Sequence, residues 1–176
     1  PISNVPIASK CFEAVMLDRL TRHLNNNNVI HQNQFGFTKG SNTEIATIHL
    51  LSEVYNIRDK KLMSAILFID LQKAFDSVVH KILIGKLKKL RLPSKFLDLF
   101  ISYFEERTQY VQIEDAISSK ISIDAGVFQG SKLAACLFIL YINNVFSLPL
   151  HGKIILYADD IAIVYGAKDP ADLKRQ

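Results

Sequence analysis

Apolar residues recur along this chain with two different periods, and the switches between them divide it into helical and extended stretches. From residue 9 to residue 24, Phe12, Val15, Met16, Leu20 and Leu24 fall at helical spacing, which predicts an amphipathic helix ended by the polar run Asn25-Asn26-Asn27-Asn28. A second helix is announced by Ser41-Asn42-Thr43-Glu44, a capping-box pattern, with Ile45, Ile48, Leu51 (or Leu50) and Val54 as its apolar face. Residues 65–69 form an uninterrupted apolar run closed by Asp70, the pattern of a strand buried on both faces. Residues 80–90 and 94–104 read as two helices parted by Leu92-Pro93, and 110–113 with 120–123 as a hairpin about Glu114-Asp115. After Gly126, residues 133–145 read as a strongly apolar helix, and 154–157 with 161–165 as two short strands flanking Ala158-Asp159-Asp160. Asp169-Pro170 opens one more helix, and a chain that begins at Pro1 without Met and stops inside that helix reads as a piece of a longer protein.

With 176 residues and 49% hydrophobic content, the chain can bury one core, or two lobes sharing one, and it is not disordered. A formal charge of +4 suits a polyanionic partner, but 21 basic against 17 acidic residues do not identify nucleic acid. Cys11 and Cys136 sit far apart inside apolar runs, where a buried free thiol is the usual role. No secretory leader and no apolar run of about 18 residues is present, so the expectation is an intracellular protein with no membrane partner. His23, His31, His49, His80 and His151 show no ligand spacing with the cysteines, which argues against a zinc protein.

The carboxylates carry the candidate chemistry. Asp159 and Asp160 stand side by side between apolar strands, and two like charges about 4 Å apart repel by about 4 kcal/mol at an effective dielectric near 20. A divalent cation removes that cost, and Mg²⁺, which takes carboxylate and phosphate oxygens and keeps waters, fits it. Asp70 supplies a third carboxylate at another strand end. A lone Asp-Asp pair is more often an exposed turn, so these residues alone leave both readings open. In the loop Gln34-Phe35-Gly36-Phe37-Thr38-Lys39-Gly40, the two glycines and Lys39 would let amides and a cation approach an anion, although most such loops are plain turns. Asp76 reads as a helix cap.

The ordered set of motifs resembles the reverse transcriptases of non-LTR, LINE-type retrotransposons. Phe68-Ile69-Asp70-Leu71-Gln72-Lys73-Ala74-Phe75-Asp76 resembles the first catalytic motif, Gly126-Val127-Phe128-Gln129-Gly130-Ser131 the second, and Tyr157-Ala158-Asp159-Asp160 the third. Pro1-Ile2-Ser3 and Gln34-Phe35-Gly36-Phe37 resemble the two fingers motifs, and Tyr141-Ile142-Asn143 extends the match. The resemblance implies an α+β right-hand polymerase core: fingers-like residues 1–62, then a palm over 63–176 with an antiparallel sheet backed by helices and intervening fingers elements, truncated before the thumb. It implies RNA-directed DNA synthesis, with two Mg²⁺ ions, or Mn²⁺ in their place, held by Asp70, Asp159 and Asp160. Leu71, Phe75, Gln129 and Gly130 would meet the incoming nucleotide, Phe75 as the gate against a ribose 2′-hydroxyl, and Tyr157 would lie near the primer end. The implied partners are an RNA template, a DNA primer, a deoxynucleoside triphosphate and the rest of a retrotransposon polyprotein, in the nucleus if the element is active.

Three departures from the family pattern fall near the expected nucleotide. Phe128 replaces a proline, Leu133-Ala134-Ala135 replaces leucine-glycine-proline, and Thr38 stands where many relatives carry a base. Proline fixes φ and glycine permits φ > 0, so the first two changes are expected to alter the backbone there. The alternative they leave open is a decayed or domesticated remnant that binds nucleic acid or protein without catalysis. An intron-encoded maturase or retron polymerase shares the catalytic motifs, but the loop at 34–37 argues against it.

Overall fold

The computed structural model describes residues 7–128 and 130–173. In chain order its elements are α1 (Ile7–Asn26), α2 (Thr43–Asp59), β1 (Met63–Ile69), a 3₁₀ turn (Ala74–Ser77), α3 (His80–Lys89) and α4 (Ser94–Phe104). Four two-residue strands follow, β2 (Thr108–Gln109), β3 (Gln112–Ile113), β4 (Ala116–Ile117) and β5 (Ile121–Ser122). Then come α5 (Ala134–Ile142), a second 3₁₀ segment (Asn143–Ser147), β6 (Lys153–Tyr157), β7 (Asp160–Ala167) and α6 (Pro170–Leu173). Asp169 caps α6, its Oδ1 accepting from the amides of Ala171 at 2.8 Å and Asp172 at 3.0 Å.

Helix α5 is apolar on every side, and a helix of that kind belongs inside a core. Its residues Leu137 and Phe138 meet Met16, Leu20 and Leu24 of α1, Leu83 and Leu87 of α3, and Phe100 and Phe104 of α4 in the largest cluster. Burying each such side chain fully is worth about 1.5–3 kcal/mol. On α1 the buried face is Glu13, Met16, Leu20 and Leu24, whereas Phe12 and Val15, expected inward, are exposed. The three-residue step back from Met16 lands on Glu13, whose carboxylate is needed there as a hydrogen-bond acceptor for Lys132 N at 2.8 Å. On α2, Ala46 and Ile57 are buried with Ile45, Leu50 and Val54 packed beside them, and Ile48 and Leu51 are exposed. Asn42, not Ser41, is its N-cap, accepting from Ile45 N at 2.8 Å.

One antiparallel sheet has strand order β1-β7-β6. Helix α2 and Phe35 cover Ile155 and Val164 on one face, and Ile142, Val145, Phe146 and Leu71 cover Ile154, Leu156, Ile161 and Ile163 on the other. Strand β1, expected to be buried on both faces, is instead an edge strand with Ile66, Leu67, Phe68 and Ile69 between 37% and 68% exposed. A continuous apolar run records that both faces avoid charge; whether anything covers them depends on where the strand falls in the sheet. The hairpin about Glu114-Asp115 forms, but 112–113 pair with 116–117, and only the outer 108–109 reach 121–122. The expected helix over 133–145 stops at Ile142 and tightens into the 3₁₀ segment. There the Asn143 side chain leaves the helix to bond the loop before residue 33, accepting from His31 N at 2.9 Å and donating to Val29 O at 2.8 Å. Cys136 is buried as expected, Cys11 is exposed, and both are free.

Candidate active site

Strand ends bring the acidic residues to one edge of the sheet. Ile69 pairs with Ile161, so one further step along each strand takes β1 to Asp70 and β7 to Asp160, its first residue. Cross-strand neighbours lie about 4.5–5.5 Å apart at Cα, which sets the scale of that approach. Tyr157 pairs with Asp160, leaving Ala158 and Asp159 as the two corner residues of the β6–β7 hairpin. Ala158 takes φ 58°, the left-handed conformation that a two-residue hairpin requires at its first corner and that costs a non-glycine residue about 1–3 kcal/mol. Asp70 and Asp160 are exposed and Asp159 half-buried. Among the described residues no three His, Cys, Asp or Glu side chains stand close enough together to hold a metal ion. The carboxylates therefore share an edge without forming a closed cluster. Tyr157 and Asp160 also line a cavity of about 130 Å³ with Phe68, Ala46 and Leu50 under α2.

Segment 33–36 runs parallel to β6 and closes its outer edge. Phe35 N donates to Leu156 O at 2.8 Å, Leu156 N to Asn33 O at 2.9 Å, and Asn33 Nδ2 to Ile154 O at 2.9 Å. Gln34, buried at 3% exposure, aims its amide at the hairpin corner. Its Oε1 accepts from Ala158 N at 3.1 Å and Gly36 N at 2.9 Å, and its Nε2 donates to Ala158 O at 3.4 Å. A Cβ on Gly36 would lie 2.1 Å from Ala158 N, so glycine is required there for close packing. The Gly36 amide is thus spent internally and is not free for an anion. Thr38 likewise turns inward, donating to Phe35 O at 2.9 Å, while Lys39 remains exposed.

The rest of the first motif is tied to the second by backbone pairing. Val127 N donates to Phe75 O at 2.9 Å, Gly126 N to Val78 O at 2.8 Å, and His80 Nε2 to Gly126 O at 2.7 Å. Phe75 is half-buried, stacked on Phe138 at 4.7 Å and edge-on to Phe37 at 6.2 Å. Leu71 packs toward the core clusters beneath it. Asp76 lies inside the turn Ala74–Ser77, and the N-cap positions of that turn and of α3 are held by Lys73 and Val79. Gly130 adopts φ 102°, the left-handed region open to glycine, and Gln129 lies outside the described residues, as does Pro1-Ile2-Ser3.

Phe128 is caged. Its ring centroid lies 5.3 Å from that of Tyr103 and 6.5 Å from that of Phe104, with the Arg107 guanidinium 4.8 Å above it. Tyr103 donates to Ser131 Oγ at 2.8 Å, and burial pushes its phenol up to about 12, so it stays a neutral donor. Ala134 and Ala135 lie in the first turn of α5 without positive φ, so the missing glycine leaves no strain there.

A helix-backed antiparallel sheet with an acidic hairpin at its edge makes this an α+β polymerase core of the fingers-and-palm kind. Solved telomerase structures from Candida tropicalis share that fold, one with a TM-score of 0.64 at 16% identity over 95% of this chain and 36% of the other. A second, from Candida albicans with a fragment of telomeric RNA, gives a TM-score of 0.63 at 14% identity over 92% of this chain and 30% of the other. Residues 1–175 match the model of the reverse transcriptase (RNA-dependent DNA polymerase) family, and the chain belongs to that family. It is 34% identical, over 98% of its length, to the probable RNA-directed DNA polymerase from transposon X-element of Drosophila melanogaster. It is 31% identical, over 96% of its length, to the polymerase from mobile element jockey of the same fly. The chain spans 20% and 19% of those two proteins. Among the described residues no helix is long and apolar enough to cross a membrane.

Of the residues singled out from sequence, the fold brings Asp70, Tyr157, Asp159 and Asp160 to one edge, with Phe75 and Leu71 on the loop that leaves it. Gln34 was missed. Its motif was visible, but a glutamine in a loop gives no sign that its amide is buried.

Proposed function

We propose that this chain carries the nucleotidyl-transfer site of a LINE-type element's RNA-directed DNA polymerase, with residues 1–62 as a fingers-like part and 63–176 as palm with intervening fingers elements. The observation supporting it is the β1–β7 register, whose continuation sets Asp70 level with Asp160 beside the Asp159 corner. These are hard oxygen donors with no thiolate or imidazole among them, the donor chemistry that suits Mg²⁺ and tolerates Mn²⁺. Asp70 and Asp159 would hold the ions, with Asp160 beside them. Bound there, the ions would supply acidification of the primer 3′-hydroxyl and neutralisation of charge on the leaving pyrophosphate.

The chain's own residues orient the reactants. Gly130, lacking a side chain at φ 102°, lets backbone come close to the nucleotide, and Gln129 contacts it and the template. Phe75 bounds the sugar from below, and Tyr157 stands next to the primer end. The partners are an RNA template, a DNA primer, a deoxynucleoside triphosphate and the remainder of a retrotransposon polyprotein, in the nucleus if the element is active.

Primer extension on an RNA template tests this, using both the 176-residue chain and the longest reading frame that contains it. Mg²⁺-dependent extension is expected, with Asp159→Asn lowering kcat at least about 100-fold, the scale for losing one group that stabilises transition-state charge. The second reading, a remnant that binds nucleic acid without catalysis, draws on the absence of a closed acidic cluster among the described residues. Salt-sensitive RNA binding with no extension by either protein, unchanged by Asp159→Asn, would establish it in place of the first.

A further inference from the structure

The acidic hairpin corner is held from outside the two strands that form it. Ala158 is buried and left-handed, a conformation that costs a non-glycine residue free energy and persists only where its surroundings hold it. The Gln34 amide meets both backbone polar groups of that residue, Oε1 accepting from its N–H and Nε2 approaching its carbonyl. The same Oε1 accepts from Gly36 N, which fixes the orientation of the amide, because both near donors are N–H groups and only the oxygen can receive them. Gly36 packs against the same residue at a spacing no Cβ would allow.

This brace is itself anchored at both ends. The backbone of Asn33 and Phe35 is bonded to Leu156, and the Asn143 side chain at the end of α5 holds Val29 and His31. Rigid packing thus runs from the central helix through segment 29–36 to the corner that carries Asp159. From this geometry we propose that Gln34 is a positioning residue: its amide sets the conformation of the Ala158-Asp159 corner and hence where the Asp159 carboxylate stands relative to Asp70. The proposal rests on Asp159 belonging to a nucleotidyl-transfer site. It adds a residue from the fingers-type motif that touches neither nucleotide nor primer and acts through a backbone turn.

Substitutions at Gln34 separate positioning from bulk stability. Gln34→Met keeps length and volume but removes every side-chain hydrogen bond, whereas Gln34→Glu keeps the acceptor for both N–H groups and loses the Nε2 donor to Ala158 O. Gln34→Met is expected to remain folded by circular dichroism and to lower kcat about 10- to 100-fold, the cost of a misplacement near 1 Å, with KM for the nucleotide changed less than about threefold. Gln34→Glu should recover part of kcat, because its second oxygen faces the Ala158 carbonyl to which Gln34 Nε2 donates. Amide exchange by NMR gives a readout that needs no activity: the Ala158 N–H should be protected in the wild type and in Gln34→Glu, and exchange at least about tenfold faster in Gln34→Met. If Gln34→Met does not fold, Gln34→Asn, which retracts the amide by one methylene, takes its place with the same expectations.

Equal kcat in the wild type and Gln34→Met would overturn the proposal, as would a wild-type Ala158 amide that exchanges as fast as an unstructured one. A fall in kcat no larger than the unfolded fraction measured by circular dichroism, at unchanged KM, would reduce Gln34 to a stability role and overturn it too. Absence of extension by the wild type is a different result. It overturns the nucleotidyl-transfer reading itself, while the exchange measurement still reports whether the brace exists.

Discussion

Phe75 is packed by the core on one side and left open on the other. One face of its ring lies on Phe138 in the core, yet the side chain is only half-buried and its edge meets the exposed ring of Phe37. A gate against the ribose 2′-hydroxyl needs such a ring, held by the core and open toward the nucleotide. Phe75→Val should therefore raise ribonucleotide use relative to deoxynucleotide, by about tenfold or more in the ratio of kcat/KM values, the scale of one relieved steric contact. That ratio cancels any general loss of folded enzyme. An unchanged ratio with a lowered melting temperature would assign the ring to the core, where truncating a phenylalanine costs about 3–5 kcal/mol.

At the scale of elements, α1 separates periodicity from burial. Phe12, Val15, Met16, Leu20 and Leu24 share a helical spacing, but only the last three are buried, because α3, α4 and α5 pack against one stripe and leave Phe12 and Val15 facing outward. Leu20→Ala should cost about 2–5 kcal/mol by leaving a cavity in the largest core cluster. Val15→Ala should change stability by no more than about 0.5 kcal/mol. Urea unfolding midpoints of the two variants check this. Equal losses would mean that Val15 is covered in the folded protein, contrary to the packing described. Strand β1 follows the same logic, since an edge place in the sheet leaves an apolar run exposed that a central place would have covered.

Across the whole molecule, loop 29–33 joins the helical core to the sheet, and His31 sits at the junction. Its ring stacks on Phe146 at 3.9 Å, its Nδ1 accepts from Asn33 N at 3.1 Å, and burial lowers its pKa from the usual 6.5. Because the folded value lies below the unfolded one, the unfolded chain takes up more protons in the window beneath pH 6.5, and stability rises with pH there. This contribution is complete above pH 6.5 and is lost as pH falls toward the folded pKa. Unfolding midpoints between about pH 5 and 7.5 should show this slope, and His31→Phe, which keeps a ring on Phe146, should flatten it. A slope unchanged by the substitution would assign it to other groups.

The helices, the two strands around Ala158-Asp159-Asp160, the hairpin about Glu114-Asp115 and the family itself were legible in the sequence. Each rests on something local: an apolar period, a turn dipeptide, a cap, or an ordered string of motifs. Local pattern also located the carboxylates, since a charge closing an apolar run marks a strand end wherever the strand lies. It did not say which side of a helix would meet a partner, that β1 would be an edge strand, or that Phe128 would be caged by Tyr103, Phe104 and Arg107. Nor could it show the Gln34 amide reaching Ala158, because the two are separated by 124 residues and only the parallel pairing of segment 33–36 with β6 brings them together. Periodicity records what a residue prefers to avoid, and tertiary packing alone decides which neighbours it finds.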